Sequence, residues 1–419
     1  MTVSDAGRIK KQKLLILLCF FVYSFAYAGR YSYSANIAPI IDHYGVNKDV
    51  AGLVNTFFFI SYGVGQLLNA FLCKLYPKRY VISGALLISA TINLLLFLLP
   101  PFEYIKYLWM LNGICQSVLW PSLILIIGET IEPSLMKQAM FVTSIAGVSG
   151  TLLAYGGSSL LNLISFRYSF LMGVALPASM AVVWFLSYNT LTEVKYVAEP
   201  SPIAEESKTK ETTRSRIATA VIGLLAVCAV FAAIVNFVKD GLNTWTTVIL
   251  KEQFGFGDSI SIILSLVMPL CGVFGSVIAM QGNRLIKEFR SLIGVMYVIL
   301  SALLLGVVWA LEIDSVVMTV LFLGVVSCMT NAINTVLLSI MPLELRDRVN
   351  TGFLAGFMNA CCYAGSAVSA YGLGKIADGK SWTFVICMLL ITAAVATVLA
   401  GISILLRKTR SKKLTDGGN

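Results

Sequence analysis

The chain is written in long apolar runs separated by short polar ones. The runs lie near positions 14–40, 50–73, 80–99, 104–128, 138–162 and 168–188, then near 217–248, 259–281, 290–311, 315–341, 351–374 and 382–406. Each is long enough to cross roughly 30 Å of hydrocarbon as an α-helix. Between the sixth and seventh runs, Tyr188–Arg216 is rich in Glu, Lys, Ser, Thr and Pro and has no apolar face, the composition of a solvated linker. The pattern predicts an all-α membrane protein of twelve transmembrane helices in two six-helix bundles. The first bundle takes residues 1–188, a linker takes 189–216, and the second bundle with a short basic tail takes 217–419.

The first run raises one question of processing. Lys10, Lys11 and Lys13 precede it, and Ala26-Tyr27-Ala28 has the form of a signal-peptidase site. The apolar stretch nevertheless continues from Leu14 through that point to Ile41, interrupted only by the charge of Arg30. It is read as a retained first helix.

Short motifs recur in both halves. Ala154-Tyr155-Gly156 precedes Ser165-Phe166-Arg167, and Ala370-Tyr371-Gly372, 216 positions on, precedes Ser381-Trp382-Thr383. Arg30 is followed by Tyr44-Gly45 and Asp49, and Lys239, 209 positions on, by Phe254-Gly255 and Asp258. Two similar offsets near half the chain length point to a duplicated, pseudo-symmetric six-helix unit, the parallel repeat of many transporters.

Composition agrees. The chain is 58% hydrophobic and only 12% charged, whereas soluble domains carry about 25% charged residues. The +10 net charge reflects topology. With a cytoplasmic N-terminus, 23 of the 31 Lys and Arg residues fall on the cytoplasmic side, six on the other, and two inside helices. That bias places both termini and the linker in the cytoplasm of a multi-pass protein of the cell membrane, and accounts for the charge without a nucleic-acid partner. The nine cysteines have neither disulfide-framework nor metal-site spacing and read as small buried residues.

The two intramembrane cations are Arg30 and Lys239. A charge at the centre of a membrane helix costs about 2.5–3.5 kcal/mol even on the lenient insertion scale, and such residues usually face a cavity and have a partner. The repeat places the two at matching positions, where an anion between them would relieve their repulsion. Helical spacing supports a cavity. Asn236, Lys239, Asn243 and Thr246 share one face of helix 7, and Tyr23, Tyr27, Arg30 and Ser34 share one face of helix 1. Asp240 is a possible charge partner or coupling residue, although sequence neighbours point about 100° apart on a helix. The bland alternative is that Arg30 and Lys239 form a structural or gating pair. Asn112, Gln116, Asn331, Asn334 and Asn359 are further intramembrane polar residues, of the kind that more often bond neighbouring helices than ligands. The glycines of helices 5 and 11, among them Gly150 and Gly365, suit close helix approach.

No catalytic constellation stands out. His43 is the single histidine and falls in the loop after helix 1, and there is no metal spacing, nucleophile elbow or phosphate-binding Gly-Lys-Ser loop. The expectation is a transporter and not an enzyme, with no cofactor.

Three segments carry a resemblance. They are Tyr27-Ala28-Gly29-Arg30-Tyr31-Ser32-Tyr33, Asn112-Gly113-Ile114-Cys115-Gln116-Ser117-Val118-Leu119-Trp120-Pro121, and Lys239-Asp240-Gly241-Leu242-Asn243-Thr244-Trp245-Thr246. Together they resemble the major facilitator superfamily and, within it, the organophosphate:phosphate antiporters of the glycerol-3-phosphate and hexose-phosphate type. The resemblance implies rocker-switch exchange, with Arg30 and Lys239 as paired phosphate binders. The chain departs from that family at several positions. Lys239 stands where arginine is common, Tyr31 and Gln66 where lysines occur, and Lys74 where the loop between helices 2 and 3 is usually acidic. The histidine that glycerol-phosphate carriers have in helix 5 has no counterpart.

The resulting expectation is a monomeric antiporter of a small organic anion, a phosphate ester exchanged for phosphate, held by Arg30, Lys239, Asn236, Asn243 and Tyr27. Two other readings compete. One is a proton-coupled carrier of a carboxylate or neutral solute, with Asp240 or Glu129 taking the proton. The other is a transporter-like ligand sensor.

Overall fold

The computed structural model describes residues 5–193, 214–345, 349 and 351–416. Its helices, in chain order, are α1 (Asp5–Ala35), α2 (Ile37–Tyr44), α3 (Lys48–Leu72), α4 (Lys78–Phe97), α5 (Phe102–Ser117), α6 (Leu119–Thr130), α7 (Pro133–Leu161) and α8 (Tyr168–Thr192) in the first half. The second half holds α9 (Arg214–Phe254), α10 (Asp258–Ser265), α11 (Val267–Gly272), α12 (Gly275–Leu285), α13 (Phe289–Glu312), α14 (Val316–Thr335), a π-turn (Val336–Ile340), α15 (Met341–Glu344), α16 (Thr351–Ala377) and α17 (Trp382–Asp416). The predicted linker, 189–216, lies mostly outside the described residues, with α8 running on to Thr192 and α9 beginning at Arg214.

Several crossings are built from consecutive helices: α1 with α2, α5 with α6, α10 to α12, and α14 to α15. Among the described residues, eleven spans are long and apolar enough to cross a membrane. The remaining crossing is α16, whose 27 residues extend about 40 Å at the helical rise. It is rich in Gly, Ala and Ser and carries Asn359, because it packs along both α3 and α9 and not chiefly against lipid.

The duplication read from short motifs is a duplication of packing. In the first half α1 lies on α7, α3 on α5 and α4 on α8; in the second α9 lies on α16, α11 and α12 on α14, and α13 on α17. Backbone details repeat as well. Gly45 (φ 62°) and Gly255 (φ 68°) occupy the left-handed region just after the first crossing of each half, where a side chain would be strained. Leu99 (φ 54°) and Asp314 (φ 54°) do the same in matching loops. Close approach recurs too: a Cβ on Gly150 would stand 2.0 Å from the Ser24 carbonyl oxygen, and one on Gly365 would stand 1.9 Å from that of Ala233. Both glycines are required for α1–α7 and α9–α16 contact, as sequence composition suggested.

One local expectation is corrected. His43 is not in a loop: helix 1 breaks at Asn36 and resumes as α2, ending with His43 and Tyr44 in its last turn. The break is held by the Asn36 amide, which donates to the Ser32 carbonyl (2.7 Å) and Ser158 Oγ (3.0 Å) and accepts from Asn162 Nδ2 (2.6 Å). This polar knot ties α1 to α7 where the buried backbone would otherwise lose partners. All nine cysteines are free.

The halves meet along two seams, α3 against α16 and α7 against α10. Replacing Gly365 by leucine is expected to separate α9 from α16, with an overpacking cost of about 1–3 kcal/mol or more. A thermal melt of purified protein in detergent should show a clear loss of stability, and Gly372→Leu, at a position with open space, should not.

Candidate functional site

A cavity of about 270 Å³ lies between the halves. Its two walls differ in chemistry. The first half contributes Tyr23, Tyr27 and Tyr31 from α1, Trp120 from α6 and Tyr155 from α7. The three tyrosines fall four residues apart and so share one face of α1. Their rings follow one another at 4.8 Å (Tyr23–Tyr27) and 5.6 Å (Tyr27–Tyr31), with Trp120 4.9 Å from Tyr23. The second half contributes Lys239, Asn243 and Thr246 from α9, Ser265 and Met268, and Ser327 and Asn331 from α14. An aromatic wall thus faces a wall of amides, hydroxyls and one ammonium.

Among the described residues, Lys239 has no carboxylate within 4 Å. Asp240, its neighbour, is 7% exposed, does not line the cavity and turns toward α16. It accepts from Ser366 Oγ on α16 at 2.5 Å and from Asn243 Nδ2 at 3.4 Å. Asp240 therefore forms an ion pair with neither Lys239 nor Arg30; its partners are uncharged.

Arg30 is 6% exposed and does not line the cavity. Its guanidinium carbon lies 4.4 Å from the centroid of Tyr62, 4.8 Å from Phe58, 5.1 Å from Tyr27, and 5.7 Å from both Tyr31 and Tyr363. Tyr27 and Tyr31 belong both to this box and to the cavity wall, so the cation sits one side chain behind the wall. Its Nη1 is buried without a hydrogen-bond partner. Cation–π attraction, about 0.5–2 kcal/mol per good contact, is what holds the charge. Tyr363 belongs to the second half, so the box bridges the α3–α16 seam.

The other residues singled out in the sequence divide. Asn243 and Tyr27 line the cavity; Asn236 does not, because its amide exchanges hydrogen bonds with Asn334 (2.8 and 3.3 Å) and ties α9 to α14. Ser34 accepts from Asn55 Nδ2 at 3.1 Å and also leaves the cavity. Gln116 joins helices, donating to the Ala26 carbonyl and Ser89 Oγ. Asn331 lines the cavity beside Ser327. Asn359 crosses the seam to Gln66. Glu129 is half-exposed near Lys78 (4.0 Å), away from the cavity. Phe58, Tyr62, Tyr363 and Ser366 were not anticipated. A signal existed for two of them: Asn359, Tyr363 and Ser366 fall at helical spacing on one face of α16.

The cavity is sealed at the end away from the chain termini. There Tyr155 donates to the Asn243 carbonyl (2.9 Å) and Ser159 to that of Ser259 (2.8 Å), closing α7 on the second half. Beyond them lies an ionic layer. Lys251 binds Asp42 across the seam and Asp258 (2.7 Å) on its own side. Lys48 meets Glu252 (3.1 Å), and Lys375 meets Asp49 (3.3 Å). Asp378 accepts from the backbone nitrogens of Lys48 and Asp49 (2.8 and 3.0 Å), at the N-terminus of α3, where the helix dipole favours an anion. All of the ion pairs between halves, among the described residues, lie at this end. The opposite end of the cavity reaches Ser144, which is exposed.

The sequence profile of the Major Facilitator Superfamily matches residues 19–370. Among individual proteins, the chain is 23% identical over 412 residues to the membrane sensor protein UhpC of Escherichia coli, covering 92% of this chain and 90% of that one. It is 21% identical over 434 residues to a probable hexose phosphate transport protein of Chlamydia trachomatis, covering 95% and 93%. Among solved structures, a bacterial homologue of the human lysosomal transporter Spinster, in an inward-facing and occupied conformation, superposes with TM-score 0.71 at 13% identity, over 93% of this chain and 96% of that one. The nucleoside transporter NupG gives TM-score 0.69 at 14% identity, over 95% and 99%. At such identities the structural likeness speaks for the fold alone.

Removing the ionic layer should loosen the seal. Lys251→Ala combined with Lys375→Ala is expected to lengthen and broaden the distance between spin labels at Asn47→Cys and Lys380→Cys in a cysteine-free background. An unchanged distance distribution would show that the Lys251 and Lys375 ion pairs do not hold the far end closed.

Proposed function

This chain belongs to the Major Facilitator Superfamily, and we propose that it is a secondary carrier that exchanges a phosphate ester for inorganic phosphate by alternating access. The observation that carries the reading is the unpaired Lys239 ammonium in the wall of a cavity between the halves. A second uncancelled cation, Arg30, stands directly behind the opposite wall. Two positive charges in a low-dielectric interior make an anion the natural occupant. The similarity to a hexose phosphate transport protein over nearly the whole chain points to the ester.

In the reading proposed, cargo enters from the side of the termini, which the charge bias places in the cytoplasm. Lys239 supplies a point charge, Asn243, Thr246, Ser327 and Asn331 supply hydrogen bonds, and the tyrosine wall packs against the body of the cargo. Drawing an anion between the walls attracts Arg30 and Lys239 toward one another. The halves then close on the terminal side while the ionic layer at the far end separates. No covalent chemistry is involved, and the protein acts as a monomer in the cell membrane.

A second reading has its own support, the similarity to a membrane sensor protein over 92% of the chain. In that case the same cavity binds the ester and the halves do not complete the cycle.

Proteoliposomes loaded with phosphate and given labelled phosphate outside should show counterflow. Lys239→Ala and Arg30→Ala are each expected to abolish it while leaving an inserted, folded protein, and Lys239→Arg should retain more activity than Lys239→Ala. Saturable binding of a hexose phosphate without counterflow would select the sensor. Normal counterflow in both alanine variants would remove the cation site.

A further inference from the structure

The reading above uses Arg30 and Lys239 and leaves Asp240 without a task. This carboxylate is 7% exposed, sits beside Lys239 in the chain, and has no cation within 4 Å. Each of its oxygens accepts from a neutral donor, Oδ2 from Ser366 Oγ and Oδ1 from Asn243 Nδ2. Asn243 also lines the cavity, so Asp240 is one hydrogen bond away from the cargo. The titratable groups in electrostatic reach of it are Tyr31 on α1, Tyr155 on α7 and Cys362 on α16, besides Lys239 on its own helix. Of these only Lys239 is ordinarily charged near neutral pH.

The charges around the cavity are therefore Arg30 and Lys239, both positive, and Asp240, negative. We propose that Asp240 is a selectivity residue that reduces the net charge around the cavity to a single positive unit, so that the site takes cargo bearing one negative charge in preference to two. The inference rests on the phosphate-ester reading and deepens it: the ester crosses as its monoanion. A monoanion leaves the occupied site neutral. A dianion leaves an excess negative charge between the two halves, in a region where unbalanced charge is strongly disfavoured. The geometry also assigns the contribution of Ser366, which holds Asp240 from α16 next to Asn243 of the cavity wall.

The test compares two esters in proteoliposomes, at equal pH on both sides: hexose 6-phosphate, and hexose 6-sulfate, which stays monoanionic throughout. The monoanion fraction of a phosphate ester with a second pKa near 6 rises roughly 20-fold between pH 7.5 and 5.5. Initial uptake of subsaturating hexose phosphate should rise by a comparable factor, while uptake of the sulfate ester stays level. In Asp240→Asn the net charge becomes two, and hexose phosphate uptake at pH 7.5 should gain on the order of tenfold relative to the sulfate ester. Asp240→Thr serves as a second variant, and sulfate ester uptake reports whether either is folded.

Hexose phosphate uptake that is level between the two pH values, or a sulfate ester excluded while the phosphate ester passes, would overturn the inference and leave the phosphate-ester reading standing. A sulfate ester that gains as much as the phosphate ester at low pH would also overturn it, since the protein would then be the titrating partner. Absence of uptake of both esters, together with absence of phosphate counterflow, would overturn the phosphate-ester reading and this inference with it.

Discussion

Charge in a membrane interior has to be answered by something, and this protein answers it in three different ways. Arg30 is surrounded by five aromatic rings and has no carboxylate. Lys239 is left facing an open chamber. Asp240 is held by a hydroxyl and an amide. Any of the three alone would be an expensive placement. Together they leave one positive charge without a counter-charge, and the anion exchange proposed above rests on that imbalance.

The scaffold around these charges is governed by a different constraint, the need for helices to touch and still move. Within each half, small residues such as Gly150 and Gly365 let backbones approach closely, as expected where helix association depends on packing more than on the hydrophobic effect. Between the halves the contacts are mixed: Gly52 and Gly374 pack closely against the Ala370 and Lys48 carbonyls along α3–α16, beside the ion pairs at the far end, the Gln66–Asn359 amide pair and the tyrosine box around Arg30. The far-end ion pairs are solvent-accessible, so each is worth little by itself; as a layer they bias which end is closed.

The aromatic box also couples the site to the seam. Tyr27 and Tyr31 touch both Arg30 and the cavity, and Tyr363 reaches Arg30 from the other half. A cargo that draws the guanidinium forward would disturb the same rings that join α3 to α16. In the exchange proposed, binding and rocking share these side chains.

Hydropathy and charge bias alone determined the all-helical membrane fold, and the Arg30/Lys239 offset and the paired Tyr44-Gly45 and Phe254-Gly255 motifs determined its duplication. This legibility has a plain cause: lipid demands a continuous apolar run for each crossing, and a parallel repeat preserves local backbone needs such as the left-handed glycine after the first crossing. Helical spacing also marked Lys239, Asn243 and Thr246 on one face of helix 7, and Tyr23 and Tyr27 on one face of helix 1, all of which line the cavity. The tertiary structure alone decided that Asn236, one turn from Lys239, points into α14, that Arg30 lies behind the tyrosine wall, and that Asp240 looks to Ser366. Periodicity tells which residues share a face of one helix. It carries no information on how that face is rotated against its neighbours, which is settled by packing between segments 98 and 126 residues apart.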